Sequence, residues 1–396
     1  MSDGQPRRAE DVTRPQTSVR DLDEVREGLE AWLKDRLPTA ANPSIACLDA
    51  PAGNGMSSDT FLFEAIWSDA GVERVRHLVA RVAPEPSAVT LFPVYDLPRQ
   101  FEVMRKVSEL SRVPVPEVLW CEPGKGAIGA PFFVMERVEG LVPPDVMPYD
   151  FGGNWLGDSS PDQQARLQHS SVEILARVHS IPQPEKSFEI LQLDRPEPSP
   201  LGRHVADQRD LYGWAFGGRR SPLIEACFAW LEDHWPDQEG APVLCWGDAR
   251  IGNIIYRDFE PVAVLDWEMA ALGPRELDVG WFVFLHRFFE DIAATFELPG
   301  MPGFLRRGDV ARTYTTLTGC ELRDLDFYTM YAAVRHGIIM ARTKLRQVHF
   351  GEEEMPADPD DLIMHRAALE AMIEGTYWSS LPDQASRTKP PGPSPW

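Results

Sequence analysis

Cysteine is scarce in this chain of 396 residues, which contains only five. The count is odd, the five are widely separated, and no Cys-x-x-Cys pair occurs. These features argue against a disulfide framework and against a cysteine-rich zinc site. Reduced thiols that pack among other side chains are therefore the expectation.

Long apolar runs are missing as well. No segment approaches the roughly 18 uninterrupted apolar residues of a membrane-spanning helix, so a membrane is not an expected partner. Residues 1–18 have no apolar centre that would make a secretory signal, and they predict a disordered polar arm on a cytoplasmic protein. The Pro-rich residues 385–396 predict a disordered tail.

Positive charge is in short supply. Lysine and arginine number 39 against 61 aspartates and glutamates, which gives a net charge of −22. Nucleic-acid binding depends on neutralising phosphates with basic side chains, so this balance argues against a nucleic-acid partner. The acidity would suit a cationic substrate or would serve solubility, and both interpretations stay open. The run GEEEMPADPDD at 351–361 is typical of a solvated acidic loop.

Hydrophobic periodicity divides the chain into two lobes. A first helix opens at Ser18, with Asp21 three residues on, and stops at Pro38. Three strand-like runs, the amphipathic helix LPRQFEVMRKVSEL and two further strand-like runs follow, so residues 19–139 predict a small sheet that carries a helix. Residues 140–384 are mostly of helical pattern. The order predicts an α+β fold, with a small antiparallel-sheet lobe followed by a mostly helical lobe.

The segment CWGDARIGN carries the strongest chemical signal. Asn253 follows Asp248 by five residues, and Asp266 ends the strand-like run VAVLD. An Asp, an Asn five residues later and a second Asp at a strand end form the pattern of a kinase catalytic centre. The first Asp can accept or orient a hydroxyl proton, while an amide oxygen and a second carboxylate are hard ligands suited to Mg²⁺. A hairpin turn beside a strand-end Asp is the alternative interpretation.

With these residues the chain resembles the aminoglycoside phosphotransferase and choline-kinase-like family, small-molecule kinases with the protein-kinase fold. It is similar in particular to the kinase-like domains fused to some acyl-CoA dehydrogenases and to stand-alone actinobacterial relatives. The resemblance covers about residues 20–380 and is most specific in LCWGDARIGNIIY and VAVLDWEMAALGPRELDVGWF. It implies a two-lobed kinase fold and an enzyme that uses ATP and Mg²⁺ to phosphorylate a hydroxyl group of a small molecule.

The resemblance implies a role for each matching position in the second lobe. Asp248 corresponds to the catalytic Asp, and Asn253 and Asp266 correspond to the two metal ligands. Asp278, in GPRELDVGW, matches an Asp whose carboxylate supports the backbone of the catalytic loop. Arg250 stands where many kinases have a cation near the transferred phosphate.

Nucleotide-binding positions are implied in the first lobe. Ser57 and Ser58 belong to GMSSDTF, which matches the loop that covers the phosphates. Arg81 occupies the position of the strand Lys that contacts the α- and β-phosphates. The segment MERV corresponds to the hinge, where backbone groups of Glu136 and Val138 would bind adenine.

Three positions depart from the family pattern. Trp246 replaces the usual His of the catalytic loop, where it is expected to pack rather than to do chemistry. Arg81 replaces Lys, which keeps the positive charge but changes its shape. Gln100 stands where a Glu should pair with that cation, and its helical phase points it inward. Glu102 is the alternative partner, although it lies on roughly the opposite side of the helix.

The phosphate acceptor stays open. Acidity favours an aminoglycoside or an amino alcohol, whereas the resemblance to dehydrogenase-fused domains favours a hydroxyacyl thioester or another lipid-derived alcohol. The expected acceptor pocket is built from the insertion 141–216, with Trp155, Trp214 and Phe216, and from the helical segment 328–342. Its aromatic content argues against a strictly polycationic sugar.

Other functions and roles are weighed against this interpretation. A nucleotide-binding pseudokinase that acts as a sensor or scaffold is the alternative, favoured only by Trp246 and Gln100. Protein kinase activity is disfavoured because DWE at 266–268 replaces DFG and no APE motif is recognisable. His179 is expected to be a core histidine bonded to backbone, and not a metal ligand or base.

Overall fold

A computed structural model describes residues 20–50, 58–85 and 88–381 of the chain. The predicted arm at 1–18, the predicted tail at 385–396 and the candidate nucleotide ligand Ser57 lie outside these residues. Within these residues, no helix combines the length and the apolar character needed to cross a membrane.

A five-stranded sheet forms the first lobe, and all of its neighbouring strands are antiparallel. Its spatial order is β1-β2-β3-β5-β4. The strands are β1 (Ser44–Asp49), β2 (Asp59–Asp69), β3 (Val72–Val82), β4 (Val118–Glu122) and β5 (Phe132–Glu136). The turn between β2 and β3 consists of Ala70 and Gly71, both with positive φ, as in the two-residue turns that suit strand twist.

A helix covers each face of this sheet. Helix α1 (Leu22–Arg36) places Trp32 against Phe132, and helix α2 (Leu97–Leu110) places Phe101 against Phe133. Successive residues of a strand point to opposite faces, so these two contacts lie on opposite sides of β5.

The capping residue of α1 differs from the sequence expectation. The helix begins three residues later than predicted, and the Asp21 carboxylate accepts a hydrogen bond from the backbone N–H of Asp23 at 2.8 Å. The expected stop before Pro38 agrees with the last helical residue, Arg36.

The second lobe is mostly helical. Its helices are α3 (Pro161–His179), α4 (Pro184–Ser187), α5 (Pro200–Ala215), α6 (Pro222–Asp233), α7 (Glu276–Thr295), α8 (Arg307–Thr318), α9 (Leu325–His349), α10 (Arg366–Ile373) and α11 (Tyr377–Ser380). Helices α7 and α9 pack closely at Gly280, where a Cβ would lie only 2.7 Å from the carbonyl oxygen of Tyr328. The aromatic run WFVFLHRFF lies in α7 and is largely buried, so it forms core.

Two small antiparallel ribbons interrupt the helices. Strand β6 (Val243–Cys245) pairs with β9 (Ala271–Gly273), and β7 (Ile254–Arg257) pairs with β8 (Glu260–Val264). The chain therefore leaves β6, passes through Asp248, forms the β7–β8 hairpin, and returns through Asp266 to β9. This path brings the two halves of the kinase-like pattern to the same end of the ribbons.

Candidate active site

The catalytic loop begins where β6 ends. Gly247 has a φ of +93°, and a Cβ at this position would lie 1.9 Å from the carbonyl oxygen of Met269. Only glycine accommodates both the positive φ and so close an approach of a neighbouring backbone. The loop then closes in a short 3₁₀ turn, Ile251–Asn253.

Asp278 holds the start of this loop from the first turn of α7. Its two carboxylate oxygens accept the backbone N–H groups of Trp246 at 2.6 Å and Gly247 at 2.9 Å. The side chain is 1% exposed, and His179 of α3 lies 3.0 Å from it through Nε2. Loop backbone, α7 and α3 thus meet at one buried carboxylate.

His179 is a core histidine, as expected, but its partners differ from the expectation. Both of its ring nitrogens contact side chains rather than backbone: Nε2 contacts Asp278, and Nδ1 lies 2.7 Å from the hydroxyl of Tyr314. The sequence offered no signal for this chain of contacts, because Tyr314 is far from His179 along the sequence and lies on another helix, α8.

Asp248 is surrounded by three hydrogen-bond donors. One oxygen, Oδ2, accepts Nδ2 of Asn253 at 2.6 Å and Nε of Arg250 at 3.1 Å. The other, Oδ1, accepts the indole N–H of Trp281 at 2.8 Å. Sequence reasoning missed Trp281, although its position three residues after Asp278 places both side chains on one face of α7. The orientation of the Asp248 carboxylate is fixed by these contacts.

Arg250 bridges two carboxylates. It bonds Asp248 through Nε and Asp145 through a terminal nitrogen. Burial opposes the charge of the guanidinium, but the negative charges of Asp248 and Asp145 prevail and raise its pKa. Asp145 lies in the Pro-rich loop LVPPDVM, where no sequence pattern indicated a site residue.

Trp246 and Asp266 connect the catalytic loop to the loop that follows β8. The indole N–H of Trp246 donates to the carbonyl oxygen of Leu265 at 2.8 Å, and the side chain is fully buried. Asp266 itself has a φ of +58°, a left-handed backbone that a non-glycine residue seldom adopts. Such backbone strain is concentrated at functional sites.

Asp266 lies between a cation and a second carboxylate. Arg81 of β3 reaches across to it at 3.4 Å. Burial raises the pKa of the Asp266 carboxyl, Arg81 opposes that shift, and the charge of Asp248 adds to it. The negative charges of Asp248 and Asp266 repel each other, and a bound divalent cation would relieve this repulsion.

The donor set near Asp266 fits Mg²⁺. The amide nitrogen of Asn253 is engaged with Asp248, so its oxygen remains for a cation. With the Asp266 carboxylate this makes two hard oxygen donors, and Mg²⁺ in nucleotide sites takes its other ligands from phosphate and water. Residues 20–50, 58–85 and 88–381 contain no group of three or more His, Cys, Asp or Glu side chains that could hold a metal without ligands from a nucleotide or water.

The candidate partners of Arg81 lie on different sides of α2. Gln100 is 5% exposed and faces inward, in agreement with its helical phase. Glu102 instead pairs with Arg105 and Lys106 on its own helix. Among the described contacts no hydrogen bond joins Arg81 to Gln100, and the cation pairs with Asp266.

The remaining residues predicted to bind the nucleotide lie at strand ends of the first lobe: Ser58 directly precedes β2, Glu136 is the last residue of β5, and Val138 follows it. Ser58 is fully buried, and within the described residues its hydroxyl oxygen has no hydrogen-bond partner. At the hinge, the N–H of Glu136 donates to Glu117 at 2.9 Å, and the Glu136 carboxylate pairs with Arg76. Val138 follows β5 and is half-buried.

A cavity of about 500 Å³ has residues of both lobes in its lining and reaches Glu268, two residues after Asp266. Its lining includes Tyr95 and Gln100 from the first lobe and Glu268, Trp214 and Arg335 from the second. Trp214, one of the aromatic residues expected in the acceptor pocket, lines this cavity.

The other two aromatic residues expected in the acceptor pocket are absent from the lining of this cavity. Phe216 is fully buried against Tyr212, so it belongs to the core. Trp155 packs on Tyr256 and Phe259 and donates its indole N–H to the carbonyl oxygen of Val142. Aromatic content alone could not distinguish core residues from pocket residues.

Comparison with known proteins identifies related sequences. The sequence model described as the phosphotransferase enzyme family matches residues 49–305. Acyl-CoA dehydrogenase family member 10 of Mus musculus is 25% identical over 297 residues, which are 68% of this chain and 25% of the relative. The chain thus spans about a quarter of the length of that relative.

Solved structures share the fold. One from Ralstonia eutropha, assigned to the aminoglycoside phosphotransferases, superposes with a TM-score of 0.60 at 19% identity and covers 89% of this chain and 98% of its own. A thermostable mutant of the aminoglycoside phosphotransferase APH(4)-Ia, in ternary complex with ADP and hygromycin B, gives 0.51 at 16% identity and covers 88% and 98%. The predicted two-lobed kinase-like α+β fold and the predicted family resemblance are confirmed.

Proposed function

This chain belongs to the phosphotransferase enzyme family, and from that premise we propose that it transfers the γ-phosphate of ATP, with Mg²⁺, to a hydroxyl group of a small molecule in the cytoplasm. The observation that carries the proposal is the set of contacts around Asp248. Three donors hold this carboxylate, and one of them is the amide of Asn253, whose oxygen remains for a cation. A turn with no chemical role would not need such convergence.

Asp248 is the proposed base. It would accept, or at least orient, the proton of the acceptor hydroxyl as the oxygen approaches the phosphoryl group. Asn253, Arg250 and Trp281 keep the carboxylate in one orientation, so little reorganisation is needed at the moment of transfer. Asp278 contributes indirectly, since it holds the loop backbone just before Asp248.

Asn253 and Asp266 are the proposed metal ligands. Mg²⁺ bound there would neutralise charge on the phosphate oxygens. Arg81 is the proposed phosphate clamp. Its 3.4 Å contact with Asp266 is long for a charge-assisted hydrogen bond, which leaves the guanidinium available to a nucleotide. Ser58 and the backbone at Glu136 and Val138 complete the proposed nucleotide site.

The structural likeness to a protein crystallised with ADP and hygromycin B supports a nucleotide between the lobes and a small acceptor beside it. The identity of the acceptor is a separate matter. Leu211, Trp214 and Met269 contribute apolar surface to the cavity, which suits an acceptor with a hydrocarbon part. Together with the acyl-CoA dehydrogenase relative, this favours a hydroxyacyl thioester or another lipid-derived alcohol over an aminoglycoside.

A screen of acceptors tests the proposed function. Aliphatic alcohols, hydroxyacyl-CoA thioesters and aminoglycosides are incubated with Mg-ATP, and phosphorylated product is detected by mass spectrometry. We expect product from at least one alcohol class, dependent on Mg²⁺ and absent with Asp248→Asn.

A pseudokinase remains the second candidate, because Gln100 stands in place of a Glu and makes no described contact with Arg81. It predicts a different outcome: ATP binds, yet neither product nor Asp248-dependent ATP hydrolysis is found. That outcome would replace the enzymatic proposal with a sensor or scaffold.

A further inference from the structure

Arg335 is a buried cation whose partners are aromatic rings. It lies in the middle of α9, and the residue is 2% exposed. Its guanidinium carbon lies 4.6 Å from the centre of the Trp281 ring and 5.8 Å from that of Tyr331. Across the described part of the chain, the guanidinium makes no hydrogen bond or ion pair, and its buried Nε has no partner. Buried arginines are ordinarily paired, because an uncompensated buried charge is costly.

Carboxylates that could pair with Arg335 are not scarce in this chain, which carries a net charge of −22. Other arginines that line the same cavity are paired: Arg195 with Asp207 and Asp210, and Arg99 with Asp96. Arg335 also lines this cavity, and none of the described carboxylates pairs with it. Its charge is therefore available to a molecule that enters the cavity.

Gln208 of α5 lies at the same level of the cavity lining as Arg335 of α9. His204 of α5 contacts Tyr331 of α9 at 2.6 Å, and further along the same two helices Arg342 lies 4.5 Å above the ring of Trp214. The contacts follow the same order on both helices, so α5 and α9 run parallel and Gln208 is level with Arg335.

The Gln208 amide is also without a protein partner at its oxygen. Gln208 is 9% exposed, and its buried Oε1 has no hydrogen-bond partner within the described residues. It lines the same cavity as Arg335. A guanidinium and an amide at one level of the wall form a built polar subsite, and neither is paired with the described charged residues of the same lining.

Trp281 connects this subsite to the proposed base. Its indole N–H donates to Asp248, and the face of the same ring carries the guanidinium of Arg335. One indole ring therefore separates the two groups. We propose that Arg335 binds an anionic group of the acceptor, a carboxylate or a phosphate, a few carbon–carbon bonds from the hydroxyl presented to Asp248.

This inference rests on the proposed function and narrows its substrate class: among lipid-derived alcohols it favours one with a free carboxylate or a phosphate over a thioester, whose carboxylate is blocked. A planar guanidinium matches the two oxygens of a carboxylate or phosphate, and a low-dielectric site strengthens the attraction. Gln208 would accept a hydrogen bond from a hydroxyl or N–H group beside the anion. At Arg335 the expected selectivity is the reverse of that suggested by net charge. Asp207 and Asp210 of the same lining already pair with Arg195. The guanidinium of Arg335, unpaired among the described residues, would repel a cationic group placed against it.

Binding of matched probes tests the proposal without requiring turnover. The probes are hydroxycarboxylates, the methyl esters of the same acids, and phosphate monoesters of the corresponding diols. Isothermal titration calorimetry is done in the presence of Mg²⁺ and AMP-PNP. We expect the wild-type protein to bind an anionic probe at least about 10-fold more tightly than the neutral ester, as charge-assisted hydrogen bonding implies. The stronger of the two anionic series identifies the group.

Variants of Arg335 assign that preference. Arg335→Gln is expected to abolish the preference for the anionic probe, and Arg335→Lys to retain part of it. Arg335→Met, which keeps a linear side chain between the two rings, is the second uncharged variant if Arg335→Gln does not fold. Arg342→Gln is the matched control, because Arg342 also lies over a tryptophan ring of this wall, and it is expected to keep the preference.

The proposal is overturned if the wild-type protein binds no anionic probe, or binds it no more tightly than its ester. It is equally overturned if a folded Arg335→Gln or Arg335→Met protein keeps the preference. Failure of the proposed function has a different signature. In that case the protein still prefers the anionic probe and the preference still depends on Arg335, but no Asp248-dependent phosphorylation of any probe is detected.

Discussion

At the scale of single residues, the site is organised around the three hydrogen bonds that the Asp248 carboxylate accepts. Spacing in the sequence was enough to indicate Asp248, Asn253 and Asp266 as a set. Spacing could not indicate Trp281, whose indole N–H donates to Asp248, or Asp145, which holds the far end of Arg250. Asp145 is brought to the site by packing between distant segments, whereas Trp281 shares a face of α7 with the recognised Asp278. Such contacts carry no local sequence signal unless they share a helix face with a recognised residue.

Trp281→Phe tests the indole hydrogen bond. Phenylalanine fills most of the space but donates no hydrogen bond, so one oxygen of Asp248 loses its donor. A hydrogen bond to a charged group contributes roughly 1.5–3 kcal/mol, so kcat is expected to fall about 10- to 100-fold with KM for ATP little changed. Steady-state kinetics with an acceptor identified by the screen measures both.

Trp235→Phe is the matched control for that variant. Trp235 also donates its indole N–H to a carboxylate, that of Glu239 at 2.9 Å, but it lies outside the cavity lining. Its replacement should leave kcat within a factor of about two. Equal kcat values for the Trp281→Phe and wild-type enzymes would contradict the positioning role assigned to Trp281.

At the scale of elements, helix α7 serves the catalytic loop twice. Its first turn presents Asp278 to the loop backbone, and one turn later it presents Trp281 to the Asp248 side chain. Helix α3 supports the same point through His179. The loop is therefore positioned by two helices of the second lobe as well as by its own strands.

Asp278→Asn is expected to weaken both the fold and the activity. The amide that replaces one carboxylate oxygen cannot accept the backbone N–H it would face, so a buried donor is left without a partner. The free energy of unfolding should fall by roughly 3 kcal/mol, and kcat should fall with it. Urea unfolding and kinetics on the same preparation measure the two effects.

Glu276→Gln is the control on the same helix turn. Glu276 is also buried, and it accepts the backbone N–H of Arg323 at 3.3 Å, away from the catalytic loop. This variant is expected to cost some stability but to retain kcat. Unchanged stability and unchanged turnover in Asp278→Asn would show that the loop does not depend on this carboxylate.

Elements were more predictable than their contacts. Periodicity predicted the strand–helix–strand order of the first lobe, because a period of two or of 3.6 is a property of the local sequence. The start of α1 was placed at Ser18, whereas the carboxylate of Asp21 caps it, since both residue types satisfy the same local rule. Periodicity could not separate Phe216, which lies in the core, from Trp214, which lines the cavity, because aromatic side chains occur in both places.

At the scale of the whole molecule, acidic side chains are not confined to the surface. Asp150 is 1% exposed and lies beside Glu290. Burial raises the pKa of Asp150 to about 7, the charge of Glu290 adds to the shift, and Arg287 opposes it. Near neutral pH the folded protein therefore holds a proton that the unfolded chain has already released.

The sign of the resulting pH dependence follows from linkage. A carboxyl whose folded pKa is raised contributes stability below its unfolded pKa, and this contribution is lost as pH rises toward the folded value. Asp150 should lower the free energy of unfolding between about pH 4 and about pH 7, by a few kcal/mol at most. Asp150→Asn removes the titrating group, so the variant should gain stability relative to wild type across this window.

Thermal unfolding from pH 4 to pH 8 measures the difference. Asp162→Asn, which replaces an exposed acid at the start of α3, should follow the wild-type profile. Parallel profiles for Asp150→Asn and wild type would mean that Asp150 is not protonated in the folded protein.

The central claim is that the Asp248 carboxylate enables phosphoryl transfer while other groups bind the nucleotide. Asp248→Asn keeps the shape of the side chain and removes its capacity to take a proton. We predict that turnover of an identified acceptor falls roughly 100- to 10,000-fold, while the dissociation constant for Mg-AMP-PNP stays within a factor of about three. Wild-type turnover in this variant would contradict the account.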